Sequence, residues 1–173
     1  MAHLRFTARF GILLAGLVLA IGALAPGSAL AKAGGSDLPL KGSLSGTSVH
    51  NYATGHLEAV STGNLTHLGL TTLAQDAQIV IVPGTPPTLS WTGTWTLTAA
   101  NGDQLWGTAV GIGTPTDATH IRLVLGYTLT GGTGRFEHAS ATFTAVVYHH
   151  QVSLVNAVSY GEHEATLAGQ LSW

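Results

Sequence analysis

A strict alternation of side chains along residues 90–98 is the feature that most restricts how this chain can fold. Apolar or small side chains occupy one face of the segment, and threonines occupy the other. A period of two is that of a β-strand with one buried face, and it excludes an amphipathic helix, whose period is 3.6 residues. The segment therefore predicts an antiparallel strand with a polar outer row. Its inner face is Trp91, Gly93, Trp95 and Leu97, and its outer face is Thr92, Thr94, Thr96 and Thr98.

Most of the chain after residue 37 shows the same strand-like character. The turn chemistry of Gly63-Asn64 and of Asn101-Gly102-Asp103 predicts two hairpins, and the prolines after residue 82 end another strand. Residues 151–162 fit a short helix as well as a strand. The predicted strands, besides 90–98, are 38–44, 54–62, 65–73, 77–82, 104–112, 121–129, 139–150 and 164–173.

Roughly eight or nine short strands without a crossover helix predict an all-β, antiparallel barrel or sandwich. Glycines within the predicted strands favour the barrel, because glycine permits tight bends and close approach across a narrow lumen. A strand that reaches the end of the sequence also favours closure, since pairing on both sides removes an open edge. The strand glycines are Gly93, Gly107, Gly111, Gly126 and Gly169.

A glycine-rich turn at 131–136 joins two of the longest predicted strands. Its sequence lacks the Gly-Lys-Ser/Thr ending and the following helix of a P-loop, so phosphate binding is not expected. We expect Asp103 and Arg135 to form an ion pair that joins two hairpin turns at one end of the barrel. The predicted structural motif consists of Asn101, Gly102, Asp103, Gly131, Gly132, Thr133, Gly134, Arg135 and Phe136.

The N-terminal segment has the features of an export signal. Arg5 and Arg9 precede an apolar run, and Ala29-Leu30-Ala31 is a small-x-small cleavage sequence. An uncleaved anchor is the alternative, but the run is shorter than the ~20 apolar residues that a spanning helix needs. We therefore predict a signal peptide at 1–31, a flexible lead at 32–37, a β-barrel domain at 38–173, and a secreted or extracytoplasmic location.

The charge of the mature chain limits its partners. After residue 31 the sequence has four Lys or Arg against eight Asp or Glu, and it has no cysteine. This acidic balance argues against binding to nucleic acid or to an anionic membrane. The fold must also be stable without disulfides, which a domain of this length allows.

Four motifs carry a resemblance to a known superfamily: THLG at 66–69, AANGDQL at 99–105, GGTGRF at 131–136 followed by Ala139 and Ser140, and GQLS at 169–172. They resemble exported bacterial relatives of the allene oxide cyclase and dirigent proteins, and the likeness covers most of residues 38–173. Ala141 departs from the pattern, which often has glycine there. The resemblance implies an eight-stranded antiparallel barrel with an apolar lumen, and an activity that depends on shaping a bound apolar molecule. No catalytic residue of either group matches this chain.

Two groups of ionisable residues are candidates for chemistry. His56 and Glu58 share a strand face, and His67 is expected within cross-strand reach of them, so these three are the candidate acid–base set. His149 and His150 are adjacent in a strand and point to opposite faces, so they cannot share one ion. One of them with His163 and Glu164 is the remaining metal-ligand set. We expect no metal and no cofactor.

Three functions follow from these features: a binding protein for a small apolar ligand in the lumen, an isomerase or cyclase that uses the lumen, and a structural domain whose barrel is filled. Small eight-stranded barrels of both the filled and the ligand-holding kind exist. Binding of a small apolar ligand is the function we predict. The residues expected to line the lumen are Trp91, Trp95, Leu123, Leu125, Tyr127, Phe143 and Val147.

The export signal gives a first prediction. Mass spectrometry of the protein from its own host is expected to find an N-terminus near Lys32 or Gly34, because cleavage follows a small-x-small sequence. Recovery of intact Met1 in the membrane fraction would contradict it.

Overall fold

The structure, a computed structural model, describes residues 36–173. The predicted signal peptide and residues 32–35 of the predicted lead lie outside the described residues. One turn of 3-10 helix, Gly134–Phe136, separates two strands, and no helix in this part of the chain is long and apolar enough to cross a membrane. The strands are β1 (Leu38–Asn51), β2 (His56–Leu65), β3 (Gly69–Val82), β4 (Thr88–Thr98), β5 (Gln104–Pro115), β6 (His120–Gly132), β7 (Ser140–Val155) and β8 (Val158–Ser172).

The eight strands form a closed antiparallel barrel in which each strand pairs with the next along the chain. Closure is made by β8 and β1, which pair along the whole of β1, from Leu38 opposite Leu171 to Asn51 opposite Val158. Every strand of the barrel therefore has a partner on both sides, and its backbone donors and acceptors are satisfied within the sheet. The predicted all-β barrel is confirmed.

Aromatic side chains fill the middle of the lumen. The Trp95 ring meets Tyr127 and Phe143 edge to face, with centroids 5.8 and 5.3 Å away, and those two rings stack at 4.7 Å. The indole of Trp95 donates a hydrogen bond to the carbonyl of Thr108 at 2.9 Å. Since such rings supply large apolar areas and favour these geometries, this cluster holds the barrel walls together across the lumen.

Several strand boundaries differ from the sequence predictions, among them that of β1, which continues to Asn51 instead of ending at residue 44, and those of β2 and β3. Gly63 and Asn64 lie inside β2, and the hairpin turn falls at 66–68, where His67 has a positive φ of 65°. Residues 77–82 are the second half of β3 and not a separate strand. The pairing of β2 with β3 continues past the expected turn: Gly63 lies opposite Thr71, and Leu65 lies opposite Gly69. Cross-strand pairing therefore overrides the local turn preference of Gly-Asn.

The ambiguous segment 151–162 forms the β7–β8 hairpin. Asn156 and Ala157 occupy the turn with φ values of 50° and 63°. Two successive residues at positive φ match a two-residue turn of the I′ type, whose twist fits the flanking strands. Val152, Leu154 and Val155 are exposed in this hairpin, which explains why their spacing did not show the strand period of a buried face.

One end of the barrel is closed by the glycine-rich turn. Phe136 is fully buried beneath it, and the Arg135 guanidinium lies 4.6 Å from the Phe136 ring centroid. Arg135 donates a hydrogen bond to the carbonyl of His67 at 2.8 Å, and its Nε is 3.8 Å from Oδ2 of Asp103. The predicted contact between Asp103 and Arg135 is thus present, and it joins three turns at this end.

The conformation of Gly134 gives a stability prediction. Gly134 has φ +56°, and a Cβ at this position would overlap the carboxylate of Asp103. Gly134→Ala is expected to lower the free energy of unfolding by ~1–3 kcal/mol, since both backbone strain and a collision result. Chemical denaturation of the purified variant measures this change.

Gly126→Ala is the matched control for that substitution. The nearest atom to a Cβ at residue 126 is the Val110 carbonyl oxygen at 3.8 Å, which is ordinary van der Waals contact. We expect this variant to change stability by about 0.5 kcal/mol or less. Equal stability of the two variants would show that the turn needs no special backbone conformation.

Candidate functional site

Polar side chains gather in the lumen at the end opposite the glycine-rich turn. Ser48 comes from β1, Ser61 from β2, His149 from β7 and His163 from β8. All four lie on the inner face of their strands, together with His50 near the rim. Buried polar groups of this kind require partners within the protein or from a ligand. This cluster is the candidate functional site.

Two serine–histidine hydrogen bonds organise the cluster. Ser61 Oγ lies 2.6 Å from His163 Nε2, and Ser48 Oγ lies 3.1 Å from His149 Nε2. The tautomer of each imidazole decides which partner donates. Because β1 separates β2 from β8, and β8 separates β7 from β1, each bond has to cross an intervening strand.

Glycine on the crossed strand makes each bond sterically allowed. Gly46 of β1 stands directly between Ser61 and His163 in the strand register. Gly161 of β8 is the partner of Ser48, and a Cβ there would overlap the His149 ring. A Cβ at residue 46 would overlap the backbone of Val60 and Ser61, so a side chain at either glycine would displace a partner of the hydrogen bond. The strand glycines thus give the close approach expected of a narrow lumen.

Two ring nitrogens of the cluster are buried without a hydrogen-bond partner among residues 36–173. They are Nε2 of His50 and Nδ1 of His149. An unsatisfied buried polar atom costs roughly 1–3 kcal/mol, so such atoms mark a place where a water or ligand binds.

Burial sets the charge of these histidines. It lowers the pKa of His50 and of His163, and it lowers that of His149 to about 4, with neighbouring His163, His50, His150 and His120 adding to the effect. The rings are therefore neutral at pH 7, and each offers one donor and one acceptor nitrogen. Neutral imidazoles can bind polar groups and can also transfer protons.

A small cavity adjoins the cluster inside the barrel. Its volume is about 40 Å³. A single water needs roughly 10–15 Å³ on this measure, so the cavity holds a few atoms and not a whole drug-sized molecule. Its lining residues are Ser48, Leu57, Ala59, Gln75, Trp91, Leu123, Leu125, Val147, His149 and His163.

The rim above the cavity is apolar. Ile81 is 58% exposed and pairs with Leu89, two residues beyond the buried pair Ile79 and Trp91 on the same face. Leu154, which is 53% exposed, pairs with the buried Ser159 and so also belongs to the lumen side of its strand. Apolar side chains therefore continue the lumen surface outward, past the histidines.

The residues predicted to line the lumen divide into two groups. Trp91, Leu123, Leu125 and Val147 line the cavity. Trp95, Tyr127 and Phe143 lie in the buried core, where their mutual contacts fill the barrel. Tyr127 also accepts a hydrogen bond from Gln75 at 2.8 Å, which fixes a polar side chain of the cavity wall.

The predicted acid–base set is not assembled. His56 and Glu58 share the outer face of β2, as expected, but His67 lies in the β2–β3 turn and packs on Trp173 at 5.7 Å between ring centroids. That turn joins the end of β2 opposite to His56, because the strand continues to Leu65. The expected cross-strand reach is wrong, and its cause is the misplaced Gly63-Asn64 turn.

The sequence interpretation missed the serine–histidine cluster. His149 and His150 do point to opposite faces, with His150 outside and stacked on His120 at 4.5 Å. His163 and Glu164 are separated in the same way, so the remaining metal set is not brought together. The sequence feature that could have revealed this cluster is a spacing of two residues, between His149 and Val147 and between His163 and Ala165. In a strand this spacing places each histidine on the same face as its apolar neighbour.

A second concave region lies on the outside of the barrel. This groove has a volume of about 460 Å³ and crosses β7, β8 and β1, with Tyr148, His150 and Glu162 among its lining residues. Most of its polar groups face solvent, although His149 and His163 of the lumen cluster also line it. His120 is a further lining residue, and its Nδ1 lies 2.9 Å from Asp117 Oδ2. The lumen cluster is the stronger candidate because its unpaired atoms are buried.

No protein-family model, curated protein or solved structure matches this chain. The resemblance to the allene oxide cyclase and dirigent proteins therefore stays a prediction from the sequence motifs. Any function has to be argued from the geometry of the site itself.

The buried histidines give a prediction for pH. The pKa of His149 is near 6.5 in the unfolded chain and about 4 in the folded protein. Above pH 6.5 the imidazole is neutral in both the folded and the unfolded chain, so its titration does not lower the free energy of unfolding. As the pH falls from 6.5 towards 4, the unfolded chain binds a proton that the folded chain does not, so the free energy of unfolding falls.

Denaturation at pH 8 and pH 5 measures this loss. The full pKa shift of His149 corresponds to roughly 2 kcal/mol at pH 5, and after allowance for solvent screening we expect His149 to account for on the order of 1 kcal/mol of the loss. In His149→Gln the difference between the two pH values is expected to shrink, whereas the value at pH 8 reports the structural cost alone. An unchanged difference would contradict burial of a neutral ring.

Proposed function

We propose that this protein is an exported β-barrel that binds a small, mainly apolar molecule through one hydrogen-bonding group at the histidine-lined end of its lumen. The observation that carries the proposal is the pair of buried, unpartnered ring nitrogens on His50 and His149. A ligand oxygen or N–H that reaches either nitrogen supplies a hydrogen bond that no protein group among residues 36–173 makes.

The size of the cavity sets how such a ligand binds. About 40 Å³ admits the polar tip of a molecule. The apolar remainder then lies along Leu57, Ile81, Leu89 and Leu154 at the rim, where burial gives roughly 25 cal/mol per Å². A carbonyl or hydroxyl group on a compact hydrocarbon body fits this arrangement.

The motif resemblance supports the same class of function. Allene oxide cyclases and dirigent proteins both work by holding an apolar molecule in a defined orientation. The predicted signal peptide supports action outside the cytoplasm, where a barrel without cysteines is independent of the redox state.

Acid–base catalysis in the lumen is the second candidate function. The observation that favours it is the 2.6 Å contact between Ser61 Oγ and His163 Nε2, which couples a hydroxyl to an imidazole kept neutral by burial. Such a pair can move a proton within a bound molecule, as an isomerase or cyclase requires. Turnover of the bound molecule would distinguish this function from binding alone.

A substitution that fills the cavity tests the proposal. Ala59 is 6% exposed and lines the cavity, so Ala59→Val adds volume there without adding a polar atom. We expect the variant to fold and to lose at least about tenfold in ligand affinity, because the space for the polar tip is removed. Ala168→Val on the exposed face of β8 is the matched control and should bind like the wild type.

Native mass spectrometry of the protein from its own host identifies a ligand that co-purifies, and tryptophan fluorescence then measures its affinity. Trp91 lines the cavity and reports binding there. If no molecule co-purifies and no alcohol or ketone with a hydrocarbon body changes the fluorescence, the binding function is wrong. The filled structural barrel then takes its place.

A further inference from the structure

A histidine and two carboxylates meet on the outer face of the barrel, away from the lumen. His56 Nε2 lies 3.2 Å from Asp76 Oδ1, and ligand atoms of His56, Glu58 and Asp76 all lie within 4.8 Å of one another. We propose that these three side chains bind a divalent transition-metal ion of the Zn²⁺ type. The site is independent of the lumen ligand, since it lies on the opposite face of the strands.

The donor set fits zinc chemistry. Zn²⁺ binds imidazole nitrogen and carboxylate oxygen at about 2.0–2.2 Å, which places tetrahedral ligand atoms roughly 3.4 Å apart. The three side chains therefore have to move inward only slightly, and exposed side chains do so at little cost. An imidazole in the set favours Zn²⁺ over Mg²⁺ and Ca²⁺, which prefer oxygen ligands throughout.

The strand register positions the ligands. Glu58 is the direct cross-strand partner of Asp76, and His56 precedes Glu58 by two residues on the same face. Glu58 and Asp76 are paired with strands on both sides, and His56, the first residue of β2, is paired with Gln78 of β3, so the sheet holds all three backbones before any ion arrives. A site on paired strands is better organised than one on loops.

The local charge calls for a cation. Glu58 and Asp76 face each other across the pair, and like charges directly opposite are destabilising. Within residues 36–173, no lysine or arginine forms an ion pair with either carboxylate. A bound divalent ion would turn this repulsion into attraction and would strengthen the join between β2 and β3.

Space for a further ligand lies beside the two carboxylates. A surface groove of about 290 Å³ is lined by Glu58 and Asp76 together with Thr94 and Thr96 of β4. Three protein ligands with an open fourth position are typical of zinc sites that exchange water or bind a substrate group. The groove leaves that position accessible.

A second histidine–carboxylate pair provides the control. His120 Nδ1 lies 2.9 Å from Asp117 Oδ2, but within the described residues no third ligand atom completes a group with them. Both pairs are exposed and have the same chemistry. They differ in that only the His56–Asp76 pair has a second carboxylate, that of Glu58, beside it.

Isothermal titration of the purified protein with ZnCl₂ tests the proposal. We expect one specific site in the wild type, at least about tenfold weaker in His56→Ala and in Asp76→Asn, and unchanged in His120→Ala. Excess MgCl₂ should not compete. Absence of zinc binding to the wild type, or an equal loss in His120→Ala, would overturn the assignment.

Glu58→Gln separates a metal ligand from a structural residue. With EDTA present, this variant is expected to have a higher Tm than the wild type, because the repulsion with Asp76 is gone. With ZnCl₂ present, its gain in Tm should be smaller than that of the wild type, because a ligand is lost. Equal zinc-induced gains in the two proteins would refute the role of Glu58.

Discussion

The pairing of β8 with β1 is the constraint on which the rest of the structure depends. It closes the sheet along the whole of β1, and closure fixes the width of the lumen. A fixed, narrow lumen forces inward side chains from non-adjacent strands into contact, which is how Trp95 meets Tyr127 and Phe143. The same constraint brings Ser61 of β2 to His163 of β8 across Gly46 of β1. The apolar core and the polar cluster are therefore consequences of one closed sheet.

The two ends of the barrel use polar groups in opposite ways. At the closed end, Arg135 satisfies the carbonyl of His67 and approaches Asp103, so the turns are held together by paired groups. At the open end, His50 and His149 each keep a buried nitrogen without a partner among the described residues. Consistent pairing is the rule for structure, and departures from it concentrate at functional sites. This contrast is what separates scaffold from candidate site.

Inner and outer faces of the same strands carry separate chemistry. Ala59 and Ala77 point inward to the core. Their neighbours Glu58 and Asp76 point outward and form the carboxylate pair. Strand geometry makes this separation automatic, because successive side chains point to opposite faces. A single sheet can therefore carry a lumen site on its inner face and a surface site on its outer face, and the residues of one site do not contact those of the other. Independent sites of this kind are expected to respond additively.

The sequence by itself determined the all-β class, the faces of the strands and the glycine-rich turn, because the period of two and the need for positive φ are local properties. Trp91, Trp95 and Tyr127 lie inside as that period predicts. Only the tertiary structure decided which residues of different strands meet, since register depends on pairing along whole strands. A turn misplaced by three residues separated His67 from His56, and pairing within the closed sheet brought Asp76 to Glu58 and His163 to Ser61. Those contacts join residues far apart in the chain, and no local pattern specifies them.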